Sequence, residues 1–298
     1  MNASELFMTE EEIRRYKIKK IFINIGIYTF LVLVALFVII PFYWMVSMAV
    51  RSEAEISGSS ITFFPKEIVL ANFKGALDYA AKNGYNFFRF YFNTILVGVL
   101  STVGTMVTTI LASFAFARLR FKGKDFLFSL FLATMMIPGE IFVITNYATI
   151  AGLEWKNTYQ ALVLPFMISV FYIFFLRQTF MQIPNELYLA SKVDGTGDFK
   201  YLWRVMIPMA KSTLTTILIL SMMGTWNAYV WPSLVTNKKE LQLVSNGLMR
   251  AFTSLDTSQT LSHYQMAAAT LITVPLLIVF LCLKKYIMRG VSRSGIKG

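Results

Sequence analysis

Six long runs of apolar residues recur along the chain and constrain its fold more than any other feature. They lie near residues 21–48, 93–117, 126–148, 160–182, 209–235 and 265–287. As a helix, each run is long enough to cross about 30 Å of hydrocarbon. With 56% hydrophobic and 15% charged residues, the chain has too few charges for an ordinary soluble domain, which carries about a quarter. We therefore predict an all-α membrane protein with six transmembrane helices, the third interrupted at Pro138-Gly139-Glu140.

The lysines and arginines between these runs predict how the chain is oriented. With a cytoplasmic N-terminus, 19 of the 28 lysines and arginines lie on the cytoplasmic side, as the positive-inside rule requires. Both termini and the segment 183–208 then face the cytoplasm, while the polar segments 51–92 and 232–264 face the opposite side. The net charge of +12 thus reflects topology, and no basic surface with interleaved aromatic residues indicates nucleic-acid binding.

The residues that common catalytic sites need are missing from the sequence. Gly123-Lys124 is followed by Asp125 and belongs to no phosphate-binding loop, so ATP hydrolysis is not expected on this chain. The single cysteine, Cys282, lies in an apolar run, and the single histidine, His263, is expected in a solvated loop. We predict a transport subunit with no catalytic, cofactor-binding or metal-binding residue.

The polar segment 183–208 has the pattern of a helix, a turn and a second helix. Pro184 suits the start of a helix, and Glu186 lies at the positive end of its dipole. Gly195 and Gly197 permit backbone angles that other residues resist, which predicts a turn. Pro208 then suits the first turn of the next apolar run. We predict a helix–turn–helix elbow outside the bilayer that docks against a partner.

This elbow resembles the EAA loop of binding-protein-dependent ABC importer permeases, whose pattern is Glu-Ala-Ala, three residues, Gly, nine residues, Ile, one residue and Leu-Pro. Gly195, Val205, Ile207 and Pro208 fall in that register. Leu189, Ala190 and Ser191 then occupy the Glu-Ala-Ala positions, so the spacing is kept but the glutamate is missing. Glu186 lies about one helical turn earlier, and the role of the family's glutamate is not transferred to it.

Other segments narrow the resemblance to the carbohydrate branch, which includes the maltose-type transporter. Trp226-Asn227 with Trp231-Pro232 resembles a segment of the fifth span, Asn93-Thr94 opens the second span, and Arg289 to Gly298 resembles the C-terminal tail. The resemblance divides the chain into a cytoplasmic segment 1–20, a first helix with its outer loop 21–92, a transmembrane core 93–287 and a tail 288–298.

The resemblance implies the permease subunit of a type I ABC importer that moves a sugar, in particular an oligosaccharide. The implied partners are a second homologous permease, two ATPase subunits that hold ATP and Mg, an extracytoplasmic solute-binding protein and membrane lipid. ATP-driven closure of the ATPases would press the elbow inward and turn the cavity outward. The residues expected to couple to the ATPase are Glu186, Leu189, Ala190, Ser191, Asp194, Gly195 and Pro208.

Three residues are candidates for the substrate path. Asn227 and Tyr229 lie toward the outer end of the fifth run, where they would bond or stack on a sugar or simply belong to an interfacial belt. Glu140 is the one carboxylate well inside an apolar run; it would line the path, bond free amides of a broken helix or lie near the outer interface.

Two alternatives use different substrates or a different energy source. A permease for a non-sugar solute such as glycerol phosphate would have the same fold, but it would need cationic residues along its cavity, and none is evident in the predicted spans away from their ends. An ATP-independent secondary transporter would carry inverted repeats and ion-pairing residues inside the membrane. Apart from Glu140, the sequence has neither.

Overall fold

The computed structural model describes residues 10–58, 62–253 and 262–292, which form helices and connecting loops without a strand. The predicted segments 1–20 and 288–298 lie partly outside these residues. The α-helices are α1 (Glu10–Ala49), α2 (Glu53–Ile56), α3 (Ala71–Lys82), α4 (Phe87–Arg118), α5 (Lys124–Thr134), α6 (Phe142–Gly152), α7 (Tyr159–Val163), α8 (Val170–Met181), α9 (Asn185–Val193), α10 (Asp198–Tyr201), α11 (Ile207–Met209), α12 (Lys211–Trp226), α13 (Val230–Val235), α14 (Val244–Thr253) and α15 (Ser262–Ser292). Short 3₁₀ helices cover Gly139–Ile141, Leu164–Phe166 and Lys239–Leu241, and Leu202–Met206 is π-helical.

Three continuous helices of the described chain are long and apolar enough to cross a membrane: Arg14–Ala49, Phe87–Arg118 and Ser262–Lys284. Three further candidates are bent pairs: Lys124–Thr134 with Gly139–Gly152 (81°), Tyr159–Phe166 with Val170–Met181 (42°), and Asp198–Met209 with Lys211–Trp226 (81°). The predicted interruption of the third run is confirmed. The described residues therefore supply three membrane-spanning helices, or up to six if each bent pair is one span.

The fourth and fifth runs are also bent, which was not predicted from the sequence. In the fourth run, Pro165 lies in a 3₁₀ turn and Ser169 caps a new helix, its side chain accepting from the Tyr172 amide at 3.3 Å. The fifth run does not begin its long helix at Pro208, because the chain bends at Ala210 and α12 starts at Lys211. The same run also ends early, at Trp226, before the separate helix α13.

The chain divides into two compact units, Met1–Asn72 with Gln259–Thr270, and Phe73–Ser258 with Leu271–Gly298. In the second unit, α4 packs against α8 and α12. Small residues permit this approach: a Cβ atom on Gly104 would lie 2.6 Å from the Met167 side chain, and one on Gly98 would lie 2.7 Å from Met222 Sδ. The small-residue face of this helix is thus a packing face.

Hydroxyl groups of α4 compensate the bend between α7 and α8. Thr105 Oγ1 donates to the Phe166 carbonyl at 3.0 Å, and Thr108 Oγ1 donates to the Met167 carbonyl at 2.6 Å. A bend removes helical partners from carbonyls, and unpaired carbonyls are costly in an apolar environment. The bend is therefore fixed by a neighbouring helix.

In the first unit, a buried arginine organises the chain after α1. Arg51 is fully buried and pairs with Glu55, while Nη2 donates to Ser47 Oγ at 3.0 Å and to the Thr62 carbonyl at 2.6 Å. His263 belongs to the same unit and is 3% exposed at the start of α15. The expectation of a solvated histidine is wrong, because the residue lies on a helix that buries its ring.

Candidate coupling elbow and transport cavity

The elbow, residues 183–208, is built around a left-handed glycine. The helix α9 ends at Val193, and Gly195 has φ +68°. The Gly195 amide donates to the Lys192 carbonyl at 3.0 Å, and the Thr196 amide donates to the Ser191 carbonyl at 2.8 Å. This pair of bonds is a Schellman motif, which satisfies the last carbonyls of a helix and usually needs glycine at the left-handed position. The predicted stop at Gly195 is confirmed.

The second glycine of the turn has a different role from the one expected. Gly197 has φ −67° and ψ 155°, an extended conformation that any residue adopts. A Cβ atom on it would meet nothing within 4 Å. The expectation that Gly197 needs glycine's freedom is therefore wrong, and the turn depends on Gly195 alone.

A polar clasp, formed by Tyr188, Lys192 and Asp198, joins the two helices of the elbow. Asp198 Oδ1 accepts from the Tyr188 hydroxyl at 2.7 Å and lies 2.7 Å from Lys192 Nζ. Hydrogen bonding to Lys192 and then to Tyr188 lowers the pKa of the Asp198 carboxyl, and hydrogen bonding to Asp198 raises the pKa of Lys192. Since the carboxyl pKa is lowered, the stabilisation is present at neutral pH and is lost as the pH falls through that lowered pKa.

The elbow exposes large apolar side chains beside its charged ones. The side chain of Val193 is 88% exposed, and the exposed fractions of Phe199 and Trp203 are 65% and 56%. Leu187 and Leu189 add to the exposed apolar side chains of α9. A concentration of exposed apolar side chains on a polar-flanked segment marks a protein interaction site. We call these five residues the elbow patch.

The inner side of the elbow is anchored in the helical core. Tyr201, Leu202 and Met206 are buried and pack with Leu176 and Phe180 of α8. The C-terminal end of α4 adds a link, because Arg118 Nη2 donates to the Phe180 carbonyl at 2.9 Å. The elbow is therefore joined to the helices by a packed interface rather than by a loose tether.

The predicted coupling residues lie together on this elbow. Glu186 is exposed in the first turn of α9, and Asp194 is its C-cap. Leu189 and Ala190 are exposed, and Pro208 is exposed in α11. Ser191 is half-buried, and its hydroxyl donates to the Tyr188 carbonyl at 2.7 Å. The sequence missed the clasp, because Tyr188 and Asp198 are ten residues apart and meet only through the turn.

A cavity of about 570 Å³ lies among α4, α7, α8, α12 and α13. None of its lining residues is charged; seven bear hydroxyl groups and the rest are apolar. The lining residues are Val97, Ser101, Thr105, Leu162, Phe166, Ile168, Ser169, Tyr172, Leu220, Ser221, Gly224, Thr225, Ala228, Tyr229, Val230, Trp231, Pro232 and Leu243. This size and mostly apolar lining, with a few polar groups, are typical of small-molecule sites.

Of the three path candidates, the structure brings only Tyr229 to the cavity. Asn227 is the exposed C-cap of α12 and does not line it. Glu140 is exposed in the 3₁₀ turn at the bend after α5, also away from the cavity. Ser221 and Thr225 also line the cavity but were not predicted from the sequence. Their four-residue spacing places them on one face of α12, and this spacing is the signal that could have identified them.

The Asn93-Thr94 pair bonds the N-terminal part of α4 to the loop that follows α13. Asn93 Nδ2 donates to the carbonyls of Glu240 and Gln242 at 2.7 and 3.0 Å, and Asn93 Oδ1 accepts from the Tyr159 hydroxyl at 2.7 Å. Thr94 Oγ1 accepts from the Val244 amide at 2.9 Å. Both side chains are buried, so this motif fixes a loop rather than binding a ligand.

Apolar helices, a cavity among them and an elbow with an exposed apolar surface define a multi-pass membrane transport subunit. Residues 104–293 match the family described as the binding-protein-dependent transport system inner membrane component, and the protein belongs to that family. The prediction of a permease subunit of a binding-protein-dependent ABC importer is confirmed.

Relatives of known role align over nearly the whole chain. The sn-glycerol-3-phosphate transport system permease protein UgpE of Brucella abortus (strain 2308) is 27% identical, over 89% of this chain and 94% of its own. The arabinooligosaccharides transport system permease protein AraQ of Bacillus subtilis (strain 168) is 25% identical, over 92% and 96%. A chain from a crystal structure of a bacterial ABC transporter involved in the import of the acidic polysaccharide alginate shares the fold, with a TM-score of 0.74 and 22% identity over 94% and 99% of the two chains.

Proposed function

We propose that this protein is a transmembrane subunit of an ATP-driven type I importer in a bacterial cytoplasmic membrane and that it moves a sugar, in particular an oligosaccharide. It crosses the membrane six times, with the first two bent pairs each counting as one span and α12 (Lys211–Trp226) as the fifth span, and both termini and the elbow face the cytoplasm. The distribution of lysine and arginine supports this orientation. The arabinooligosaccharide permease among the relatives supports the substrate class.

The elbow patch is the observation that carries the proposal. An exposed apolar surface on a segment outside the spans needs a partner. We assign that partner as one of two ATPase subunits, which hold ATP and Mg; a second permease and a solute-binding protein complete the complex. Closure of the ATPases on ATP moves the elbow, and the buried anchor around Tyr201 and Met206 carries the movement into α8 and α12.

Import of sn-glycerol 3-phosphate is the second candidate function, because a relative at 27% identity carries that name. A phosphate dianion needs cations or a concentration of amide donors in its path. The cavity lining contains no lysine, arginine or histidine. This chemistry favours a sugar over a phosphate ester.

ATP hydrolysis by the complete complex in lipid vesicles tests the coupling. The protein is co-expressed with its partners, and hydrolysis is measured with and without solute-loaded binding protein for wild type, Gly195→Pro and Gly197→Ala. Proline cannot adopt φ +68° and has no amide hydrogen for the Lys192 carbonyl. We expect Gly195→Pro to assemble but to lose stimulation by the loaded binding protein.

Gly197→Ala is the control, since it adds a side chain two residues away in an unstrained, open position. It should retain full stimulation. Uptake that proceeds without any ATPase, and that Gly195→Pro leaves unchanged, would show that the proposed function is wrong.

A further inference from the structure

The described part of the chain contains a cavity whose lining has hydroxyl groups and aromatic rings but no carboxylate, lysine, arginine or histidine. We propose that this cavity is a substrate-contacting wall of the transport path and that it selects uncharged, polyhydroxylated solutes over anionic ones. The inference rests on the proposed function and deepens it. It assigns direct contact to this subunit and names the charge of the substrate, neither of which follows from the family.

The hydroxyl groups of the wall present both hydrogen-bond donors and acceptors. Thr105 Oγ1 donates to the Phe166 carbonyl at 3.0 Å, which leaves its lone pairs for an incoming donor. Ser221 Oγ accepts from Thr102 at 3.2 Å and Ser169 Oγ accepts from the Tyr172 amide at 3.3 Å, which leaves both hydroxyl hydrogens to donate. Sugar hydroxyls are donors and acceptors at once, so they match such a wall.

An anion does not match the same wall. Phosphate and carboxylate oxygens only accept hydrogen bonds, so the outward lone pairs of Thr105 would face them without a hydrogen. Burying an anion without a cation costs far more than burying a hydroxyl. The only groups left to receive it are neutral donors, and no charged side chain lines the cavity to compensate its lost hydration.

The aromatic rings give the cavity a surface for the apolar faces of a sugar. Trp231 is held in place, since its Nε1 donates to the Ala161 carbonyl at 2.8 Å and its ring lies edge-on to Phe166 at 5.7 Å between centroids. Tyr229 is 44% exposed beside it, on the short link between α12 and α13. Rigid rings beside hydroxyl groups form a site that is apolar on one side and polar on the other.

Site-specific cysteine protection tests the inference in the assembled importer. In a Cys282→Ser background, Ser221→Cys reports on the cavity, and Leu218→Cys, on the same helix but outside the lining, is the control. Uptake into vesicles is first measured for arabinotriose, maltotriose, raffinose, sn-glycerol 3-phosphate and an alginate trisaccharide. The transported solute is then added at saturation with its binding protein and ATP, and labelling by N-ethylmaleimide is measured.

We expect an uncharged oligosaccharide to be transported and to cause loss of labelling at Ser221→Cys, with labelling of Leu218→Cys unchanged. Thr225→Lys should abolish its uptake, and Thr215→Lys, on the same helix but outside the lining, should retain it. Transport of an anionic solute, or a transported sugar that leaves Ser221→Cys labelling unchanged, would overturn the inference while leaving the importer function in place. No ATP-driven uptake of any of the five solutes would instead contradict the proposed function, and the inference with it.

Discussion

A single glycine sets the geometry of the elbow at the residue scale. Gly195 has φ +68° and closes a Schellman motif, and its position is the one at which the sequence pattern was most informative. The pattern succeeded here because the left-handed conformation is a local requirement that four or five residues decide. It failed at Gly197, where an extended backbone accepts any residue.

Alanine at position 195 should loosen the elbow without unfolding the protein. A left-handed non-glycine residue costs roughly 1–2 kcal/mol. We expect amide hydrogens of residues 185–198 to exchange about ten times faster in Gly195→Ala than in wild type. Hydrogen exchange measured by mass spectrometry checks this. Gly197→Ala should exchange as wild type does, and equal acceleration in both variants would refute the assigned role of the turn.

The clasp gives a second residue-scale prediction. Asp198→Ala removes the acceptor that Tyr188 and Lys192 share, and for such an exposed pair the loss of stability is small. The Lys192 side chain is then free, so limited trypsin digestion should cut after Lys192 faster than in wild type. Cleavage after Lys200, an exposed lysine outside the clasp, is the internal reference. An unchanged ratio of the two cleavage rates would mean that the clasp does not order α9.

At the scale of elements, only one of the bends in the apolar runs was predicted from the sequence. The interruption at Pro138-Gly139-Glu140 was predictable because its cause lies in those residues. The 42° bend between Tyr159–Phe166 and Val170–Met181 was not, because Thr105 and Thr108, about 60 residues earlier, bond the carbonyls that the bend leaves free. A partner so distant in sequence leaves no signal in the run itself.

Removing these two hydroxyls should weaken the packing of α4 on the bent pair. In the double variant Thr105→Val, Thr108→Val, the carbonyls of Phe166 and Met167 lose these partners. Hydrogen bonds between membrane helices contribute about 0.6 kcal/mol each. We expect a loss of about 1 kcal/mol, seen as a lower midpoint of thermal unfolding in detergent. Thr215→Val is the control, because its hydroxyl is exposed and bonds only the Lys211 carbonyl of its own helix. A midpoint as high as that of the control would contradict the assigned role.

At the scale of the whole molecule, the presence of several apolar helices was predictable and the cavity was not. Six runs and the asymmetry of lysine and arginine are linear properties of the chain. The cavity joins side chains from α4 to α13, and Ser101 and Tyr229 meet there only through helix packing. Glu140 was predicted to be a carboxylate well inside an apolar run. In the structure it lies at the bend of that run and is exposed.

The proposed orientation is open to a direct test with the single native cysteine removed. In Cys282→Ser, Val193→Cys lies on the elbow and Lys156→Cys lies between α6 and α7. In right-side-out vesicles, a membrane-impermeant maleimide should label Lys156→Cys alone. Permeabilisation should then expose Val193→Cys, which is 88% exposed in the structure. Labelling of Val193→Cys in intact vesicles would show that the elbow faces the outside and that the proposed orientation is wrong.

The bend at Ala210 divides the segment 198–226 into two helical arms. Its two arms meet at 81° around a residue that is 1% exposed, so the pivot is clamped by the core. At about 1.5 Å per residue, the arms are roughly 18 Å and 24 Å long. If both arms moved as one rigid body about Ala210, as the proposed coupling requires, a displacement at the elbow would change direction by about 81° and grow by about one third at the far end of α12.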